Sequence, residues 1–141
     1  MKTFQGRVVV PGRVSAEALV SHGGLNTLAS FQKALQFGDK KATCGDQNNP
    51  DLYGKQMAGK ALCLPQTIGS TTGGLVLYCA TSMGRQPACM LFSNPIDSLA
   101  AAGAVLARRV GAAVENLVGT EKRLAEAARN LGTWTCIATH G

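Results

Sequence analysis

Apolar and polar positions follow a two-residue period near the start of the chain. Residues 14–20 carry apolar side chains at every second position, which is typical of a β-strand with one buried face. A run with three valines at 7–10 precedes them, and a Pro-Gly pair at 11–12 separates the two segments. This pattern predicts two strands joined by a turn.

A second pattern, at 60–92, changes period within a short stretch. The apolar run 60–64 predicts a buried strand, and the apolar segment 73–83 predicts a helix that Gly84 ends. Another apolar run at 88–92 predicts a second buried strand. A strand, loop, helix and strand in this order favour two parallel strands.

Polar and helix-breaking residues lie before and after the segment 60–92. Residues 25–58 have no regular period, and the sequence at 48–51 predicts a turn. Asn94 is expected to cap the next helix, with Pro95 at its first position, and this helix is expected to end near Arg109.

The C-terminal part predicts one more helix and one more strand. The helix is expected from Thr120 to Gly132, and the strand at 134–138. The alternation of strands and helices indicates the α/β class. No repeat, linker or low-complexity segment interrupts the chain, which predicts a single domain over 1–141.

Composition narrows the classes of function. Of 141 residues, 45% are hydrophobic and 16% are charged, which suits a packed core rather than disorder. The net charge of +6 is scattered, and aromatic residues make up only 5%, which argues against a nucleic-acid surface. The start has no signal-peptide pattern, and no apolar run is long enough to span a membrane. We therefore expect a cytoplasmic protein without membrane or nucleic-acid partners.

The cysteines form no pattern that holds a metal. There are 5 of them, an odd number, and none forms a C-x-x-C pair. Three lie in apolar runs, Cys63, Cys79 and Cys89. They are expected to be reduced and packed in the core, so no metal site is predicted in this chain.

The segment 65–74 is the part of the chain with the clearest chemistry. Gly69, Ser70, Thr71, Thr72 and Gly73 lie between a predicted strand and a predicted helix start. A helix start leaves N–H groups unpaired, and glycine lets a ligand approach the backbone. Three hydroxyl groups therefore stand where a carboxylate or phosphate would bind, although ordinary helix capping explains Ser and Thr here equally well.

The loop matches neither of two well-known functional motifs. It lacks the Lys of a phosphate-binding P-loop and does not match G-x-S-x-G. Among histidines there are only His22 and His140, so a serine nucleophile has no evident partner. His22 follows a predicted strand end and is a candidate substrate contact; the alternative is an exposed loop histidine. The missing machinery indicates that a partner chain supplies it.

Five motifs occur in the order found in one family. They are Gly6–Gly12, Glu17–Ser21, Asn49–Lys55, Leu64–Gly74 and Met90–Ala100. Together they resemble the small subunit of the aconitase X family, with a match over about residues 6–107. The part from about 108 to 141 resembles the family only loosely.

The resemblance implies a fold and a reaction. The fold would be a swivelling β/β/α domain, like the mobile domain of aconitases. The reaction would be dehydration of a hydroxy acid by a complex with a large aconitase-like subunit. That subunit would bind the iron–sulfur cluster, and this chain would bind none. Family members include cis-3-hydroxy-L-proline dehydratases and phosphomevalonate dehydratases.

The resemblance also implies roles for residues of the loop. Ser70 occupies the position of the base, while Gly69, Thr71, Thr72 and Gly73 would hold the substrate. The aconitase loop continues with an arginine where Thr72 stands here, so carboxylate binding is expected to rely on backbone N–H groups or on the large subunit.

Two functions remain open at this point. The first is a dehydratase subunit, with cis-3-hydroxy-L-proline favoured over phosphomevalonate because residues 64–83 contain no Lys or Arg. The second is a non-catalytic regulatory domain that binds an anion at the same loop.

Overall fold

The computed structural model describes residues 4–7, 14–95, 97–110 and 133–136. Strands and helices alternate along most of these ranges. In chain order they are β1 (Phe4–Arg7), β2 (Ala18–Val20), β3 (Leu25–Asn26), α1 (Thr27–Phe37), β4 (Ala61–Leu64), β5 (Thr67–Ile68), α2 (Gly73–Ser82), β6 (Cys89–Phe92), α3 (Ser98–Val110) and β7 (Thr133–Cys136).

The largest sheet is parallel and contains β2, β4 and β6 in that order. Its central strand β4 pairs with β2 on one side and with β6 on the other, with Ala61 opposite Ala18 and Cys89. Helix α2 connects β4 to β6 by way of β5. The parallel unit predicted for 60–92 is therefore confirmed, and the left-handed φ of +68° at Gly84 ends the helix as expected.

The first two strands belong to different sheets. Strand β1 pairs in antiparallel fashion with β7, and β2 pairs with β4 instead. The strand predicted at 14–20 is found only at 18–20. These are the residues that pair with β4, a parallel strand far along the chain. Residues 8–13, which contain the predicted turn, lie outside the described part, as does the helix predicted at 120–132.

Helix α1 lies in the stretch that the sequence pattern left without an element. Asn26 caps it, with its side-chain oxygen accepting from the N–H of Ala29 at 3.1 Å. Gly38, at a φ of +73°, ends it. Asn and Gly are common at helix boundaries. The helix was missed because the apolar period at 27–37 is weak and these two boundary residues were not given more weight than it.

Helix α3 begins later than predicted. It starts at Ser98, and the N–H of Ala100 donates to Asp97 Oδ1 at 2.9 Å. Asp97 is therefore the capping residue, and the predictions of Asn94 as the cap and Pro95 as the first helical residue were wrong. The N–H of Asn94 instead donates to the carbonyl of Pro65 at 3.0 Å, which ties the segment after β6 to the segment after β4.

The core packs the helices against the parallel strands. Its largest fully buried side chains include Leu25, Phe31, Leu52, Met57 and Leu62. Among the described residues, no helix is long and apolar enough to cross a bilayer.

The cysteines are distributed between the core and its margin. Cys44 is buried, whereas Cys63, Cys79 and Cys89 are half-buried, and all four are thiols rather than disulfides. The prediction that Cys63, Cys79 and Cys89 are packed in the core was wrong, because all three are only half-buried.

Helices α2 and α3 approach each other closely at a pair of glycines. A Cβ placed on Gly103 would lie 2.1 Å from the carbonyl oxygen of Gly74 and 2.3 Å from its Cα. Only hydrogen atoms fit between the two backbones at this crossing. The first turn of α2 is thereby fixed against the middle of α3.

Candidate functional site

The hydroxyl-rich loop lies between β5 and α2, on the side of the sheet where the parallel strands end. Residues 69–72 form it, and all four are exposed. In open parallel sheets, ligands bind outside the carboxyl ends of the strands, where loops lead into helix starts. The position of the loop therefore agrees with the chemistry that its sequence predicts.

Gly69 begins the loop in a conformation that other residues rarely adopt. Its φ is +101°, and a Cβ there would lie 2.9 Å from the side-chain atoms of Asn26. Both the backbone angle and the contact require glycine. Gly69 thus directs the chain over the start of α1 and into Ser70.

Ser70 accepts two hydrogen bonds at its Oγ. The backbone N–H of Thr72 donates to it at 3.2 Å, and the Thr72 hydroxyl donates at 2.9 Å. The carbonyl of Ser70 also accepts from the N–H of Gly73 at 3.1 Å. Two donors at one hydroxyl oxygen stabilise negative charge on that oxygen.

The start of α2 contains backbone donors that the helix itself cannot pair. Thr72, at the capping position, has helical backbone angles and makes no side-chain capping bond. The N–H groups of Thr72 and Gly73 are used within the turn, while those of Gly74 and Leu75 have no carbonyl that the helix itself could offer. These two N–H groups, with the helix dipole, suit a carboxylate.

Two other helix starts border the loop. A Cβ on Gly73 would lie 2.6 Å from Oγ1 of Thr27, the first residue of α1. Asp97, which caps α3, accepts a hydrogen bond from the Thr67 hydroxyl on β5. The starts of α1 and α3 therefore contact residues on either side of the loop. The dipoles of α1 and α2 add positive potential there, whereas the Asp97 carboxylate offsets that of α3. Asn26 and Asp97 are residue types that commonly cap helices, but their positions beside the loop come from tertiary packing, as does the contact of Thr27 with Gly73.

His22 lies on a neighbouring loop and is paired with a carboxylate. Its Nδ1 lies 3.1 Å from Asp51 Oδ2, and its backbone N–H donates to the same oxygen at 2.7 Å. These hydrogen bonds, the backbone one first, lower the pKa of Asp51 below its ordinary value. The imidazole is 90% exposed, so it is accessible, but its partner is Asp51 rather than a residue of the Ser70 loop.

A buried amide holds the His22 loop in place. Asn49 donates from Nδ2 to Ser21 Oγ at 2.9 Å and to the carbonyl of Gly24 at 3.2 Å. A Cβ on Gly24 would lie 2.7 Å from Cγ2 of Ile68, on the strand that leads to Ser70. The two loops therefore share a packed boundary at Gly24 and Ile68.

An iron–sulfur cluster or a metal ion does not fit this chain's described residues. They contain no group of three or more His, Cys, Asp or Glu side chains that could hold a metal. The four described thiols also belong to different elements or loops, Cys44, Cys63, Cys79 and Cys89. No metal-binding role is therefore assigned to the described residues of this chain.

The fold and the loop together define the class of protein as a swivel domain. In this class a small α/β unit exposes a loop at the start of a helix. Comparison with known proteins specifies the family. Residues 3–129 match the aconitase X swivel domain, so the chain belongs to that family.

Curated relatives are 26% to 34% identical to the chain over aligned segments of 103 or 104 residues. The small subunit of phosphomevalonate dehydratase from Thermococcus onnurineus is 28% identical over 104 residues, which are 74% of each chain. The cis-3-hydroxy-L-proline dehydratase of Pseudomonas aeruginosa is 34% identical over 104 residues, which are 74% of this chain and 17% of that protein.

A solved structure shares the fold. The holo-form of aconitase X from Thermococcus kodakaraensis superposes with a TM-score of 0.66 and 25% identity, covering 77% of this chain and 76% of that one. The swivel-domain fold that the resemblance implied is therefore confirmed.

Proposed function

We propose that this chain is the small subunit of a heteromeric hydro-lyase that dehydrates a hydroxy acid. The observation that carries the proposal is the turn in which Ser70 Oγ accepts two donors from Thr72, in a chain that belongs to the aconitase X swivel-domain family. The relative from Thermococcus onnurineus, similar over 74% of its length, is named a dehydratase small subunit, which supports a large partner subunit here.

In this proposal Ser70 is the base. Its deprotonated Oγ, an alkoxide, takes the proton from the carbon beside the substrate carboxylate and becomes a hydroxyl, and the electron pair of that C–H bond forms the new C=C bond as hydroxide leaves the neighbouring carbon. A serine hydroxyl is a weak base, so the negative charge on Oγ needs stabilisation. The two Thr72 donors and the start of α2 provide it.

The substrate carboxylate is assigned to the donors that the turn leaves available. These are the N–H groups of Gly74 and Leu75, and Thr71, an exposed residue of the same loop, is assigned as a further contact. Gly69 and Gly73 let the substrate approach the backbone, and Thr72 holds Ser70. His22 is assigned to the edge of the site, where its exposed imidazole is available to a substrate group.

The iron–sulfur cluster is assigned to the large subunit, because the described residues of this chain offer no ligand group for it. Such a cluster supplies a Lewis acid for the leaving hydroxyl when bound. We also infer that residues 1–141 fold as a single swivel domain and that the complex is cytoplasmic.

The preferred substrate is cis-3-hydroxy-L-proline. No Lys or Arg occurs between residues 64 and 83, so this side of the site has no cation for a phosphate group. The relative with this named activity is also 34% identical, compared with 28% for the phosphomevalonate dehydratase small subunit. Phosphomevalonate is the second candidate, because relatives from three Thermococcus species carry that name as separate small subunits.

An assay of the co-expressed pair tests the function. The chain with its large subunit is expected to dehydrate cis-3-hydroxy-L-proline, and neither chain alone is expected to do so. Turnover of phosphomevalonate instead would select the second substrate. Tight binding of carboxylates or phosphates by the lone chain, with no turnover by the pair, would contradict the proposal and favour an anion-binding regulatory domain.

A further inference from the structure

Helix α3 contacts the polypeptide on both sides of Ser70. One contact is made before the loop, at Thr67 on β5, and the other after it, at Gly74 in the first turn of α2. Ser70 lies three residues after the first and four residues before the second. A single rigid element thus holds both ends of the turn.

The contact before the loop depends on the two oxygens of Asp97. Oδ1 accepts from the N–H of Ala100 at 2.9 Å and caps α3, while Oδ2 accepts from the hydroxyl of Thr67. The carbonyl of Asp97 also accepts from the N–H of Ala101 at 3.0 Å, which fixes the residue at the helix start. One carboxylate therefore joins the start of α3 to the strand that leads to Ser70.

The contact after the loop is between backbones. A Cβ on Gly103 would lie 2.1 Å from the carbonyl oxygen of Gly74, so α2 cannot move toward α3. Gly73, one residue earlier, is similarly close to α1, since a Cβ added to it would lie 2.6 Å from Oγ1 of Thr27. The end of the turn is fixed by packing, and its beginning depends on β5 pairing and on the Thr67–Asp97 bond.

We propose that Thr67 and Asp97 are positioning residues that set the orientation of Ser70 toward the substrate. This rests on the proposed function, in which Ser70 is the base. The Ser70 Oγ must point at one C–H bond, and a small misplacement of a reacting group lowers the rate far more than it lowers ground-state binding. The hydrogen bond between Thr67 and Asp97 limits rotation of the strand end that carries Gly69 and Ser70.

Two substitutions separate this hydrogen bond from the cap of α3. Thr67→Val keeps the shape of the side chain and leaves Asp97 as the cap. Asp97→Ser keeps a good capping residue but is too short to supply the second oxygen. In the complex with the large subunit, each is expected to lower kcat by about tenfold with KM within about twofold. Combined, they are expected to cause little further loss, because both remove the same interaction.

The matched control is Thr81→Val, near the other end of α2. It removes a hydroxyl that donates to the carbonyl of Leu77 at 3.0 Å and has no contact with the loop. Its kcat is expected to equal that of the wild type. Thermal unfolding of all the variants separates a positioning role from a structural one, since Thr67→Val and Asp97→Ser are expected to melt close to the control.

The outcomes are distinguishable from those of the proposed function. If Ser70→Ala is inactive while Thr67→Val and Asp97→Ser keep full kcat, the positioning role is wrong and the base assignment stands. A fall in kcat that is matched by a fall in melting temperature also overturns the positioning role.

If Ser70→Ala keeps full activity, or the wild-type complex dehydrates neither substrate, the proposed function fails instead. The amide resonances of Ser70 and Thr72 in the full chain then decide the structural inference. They are expected to shift in Thr67→Val and not in Thr81→Val, and unchanged resonances in both variants would overturn it.

Discussion

Helices α1 and α2 begin side by side but in different ways. At α1, Asn26 has extended backbone angles and its side chain caps the N–H of Ala29. At α2, Thr72 is already helical, makes no capping bond, and donates both its N–H and its hydroxyl to Ser70 Oγ. One start uses its polar side chain to cap its own helix, and the other uses it to donate a hydrogen bond to a neighbouring hydroxyl oxygen.

The difference shows how a helix start without a cap is kept in place. Gly73 packs against Thr27, and Gly74 packs against Gly103. Close packing of glycines thus replaces side-chain capping at α2. The helix itself offers no carbonyl to the N–H groups of Gly74 and Leu75, which a cap would have used, and this agrees with the function proposed for the loop.

The largest expected effect on stability comes from Gly103→Ala. Its Cβ would lie 2.1 Å from the backbone of Gly74, so α2 and α3 must separate. We expect a loss of about 3 kcal/mol in the free energy of unfolding, measured by urea denaturation. Gly23→Ala is the control, because its Cβ meets nothing closer than 3.5 Å. Equal stability of the two variants would contradict packing as the means of holding α2.

The next effect is on catalysis and follows from Thr72→Val. This substitution removes the hydroxyl that donates to Ser70 Oγ at 2.9 Å and leaves the backbone N–H in place. We expect kcat of the complex to fall about tenfold, the equivalent of one hydrogen bond of about 1.4 kcal/mol. Stability is expected to change by less than about 0.5 kcal/mol, because Thr72 caps nothing. Normal kcat with reduced stability would show that Thr72 acts as an ordinary cap.

The reciprocal change is Asn26→Ala at the start of α1. Loss of the bond to the N–H of Ala29 is expected to lower the free energy of unfolding by about 1 kcal/mol. Thr72→Ala is the matched comparison at α2 and is expected to lower it by less than half as much. If the two losses were equal in urea denaturation, the contrast between the helix starts would be wrong.

The smallest effect concerns the His22 loop. The backbone N–H of His22 donates to a carboxylate, that of Asp51, whereas the Thr72 N–H at the α2 start donates to a serine hydroxyl. The pKa of Asp51 is lowered by the hydrogen bonds from His22. Its stabilising contribution is therefore complete above its ordinary pKa of about 4 and is lost as the pH falls through the lowered value. Asp51→Asn is expected to show a smaller loss of stability on acidification than the wild type. Identical acid dependence of the two proteins would contradict this role of Asp51.

Local patterns predicted the part of the fold that carries the loop. The apolar runs at 60–64 and 88–92, with the helix that Gly84 ends, specified a parallel unit because each signal lies within a few residues of the element it defines. The loop itself was also predicted, from its glycines and hydroxyls.

Contacts between distant segments were not predicted. The pairing of β2 with β4, the bond between Thr67 and Asp97, and the approach of Gly103 to Gly74 join residues about 30 to 43 positions apart. No period in the sequence reports such contacts. The capping of α3 by Asp97 instead of Asn94 shows the same limit, since several residues near one helix start are good caps and tertiary packing selects one of them.

The central claim is that the uncapped start of α2 makes Ser70 a base, and Ser70→Ala tests it most directly. The variant is assayed in complex with the large subunit, beside Ser82→Ala, which removes a hydroxyl that donates to the carbonyl of Tyr78 at the far end of the same helix. We predict that Ser70→Ala lowers kcat by about 10²- to 10⁴-fold and that Ser82→Ala has wild-type activity. Full activity of the Ser70→Ala complex would contradict the account.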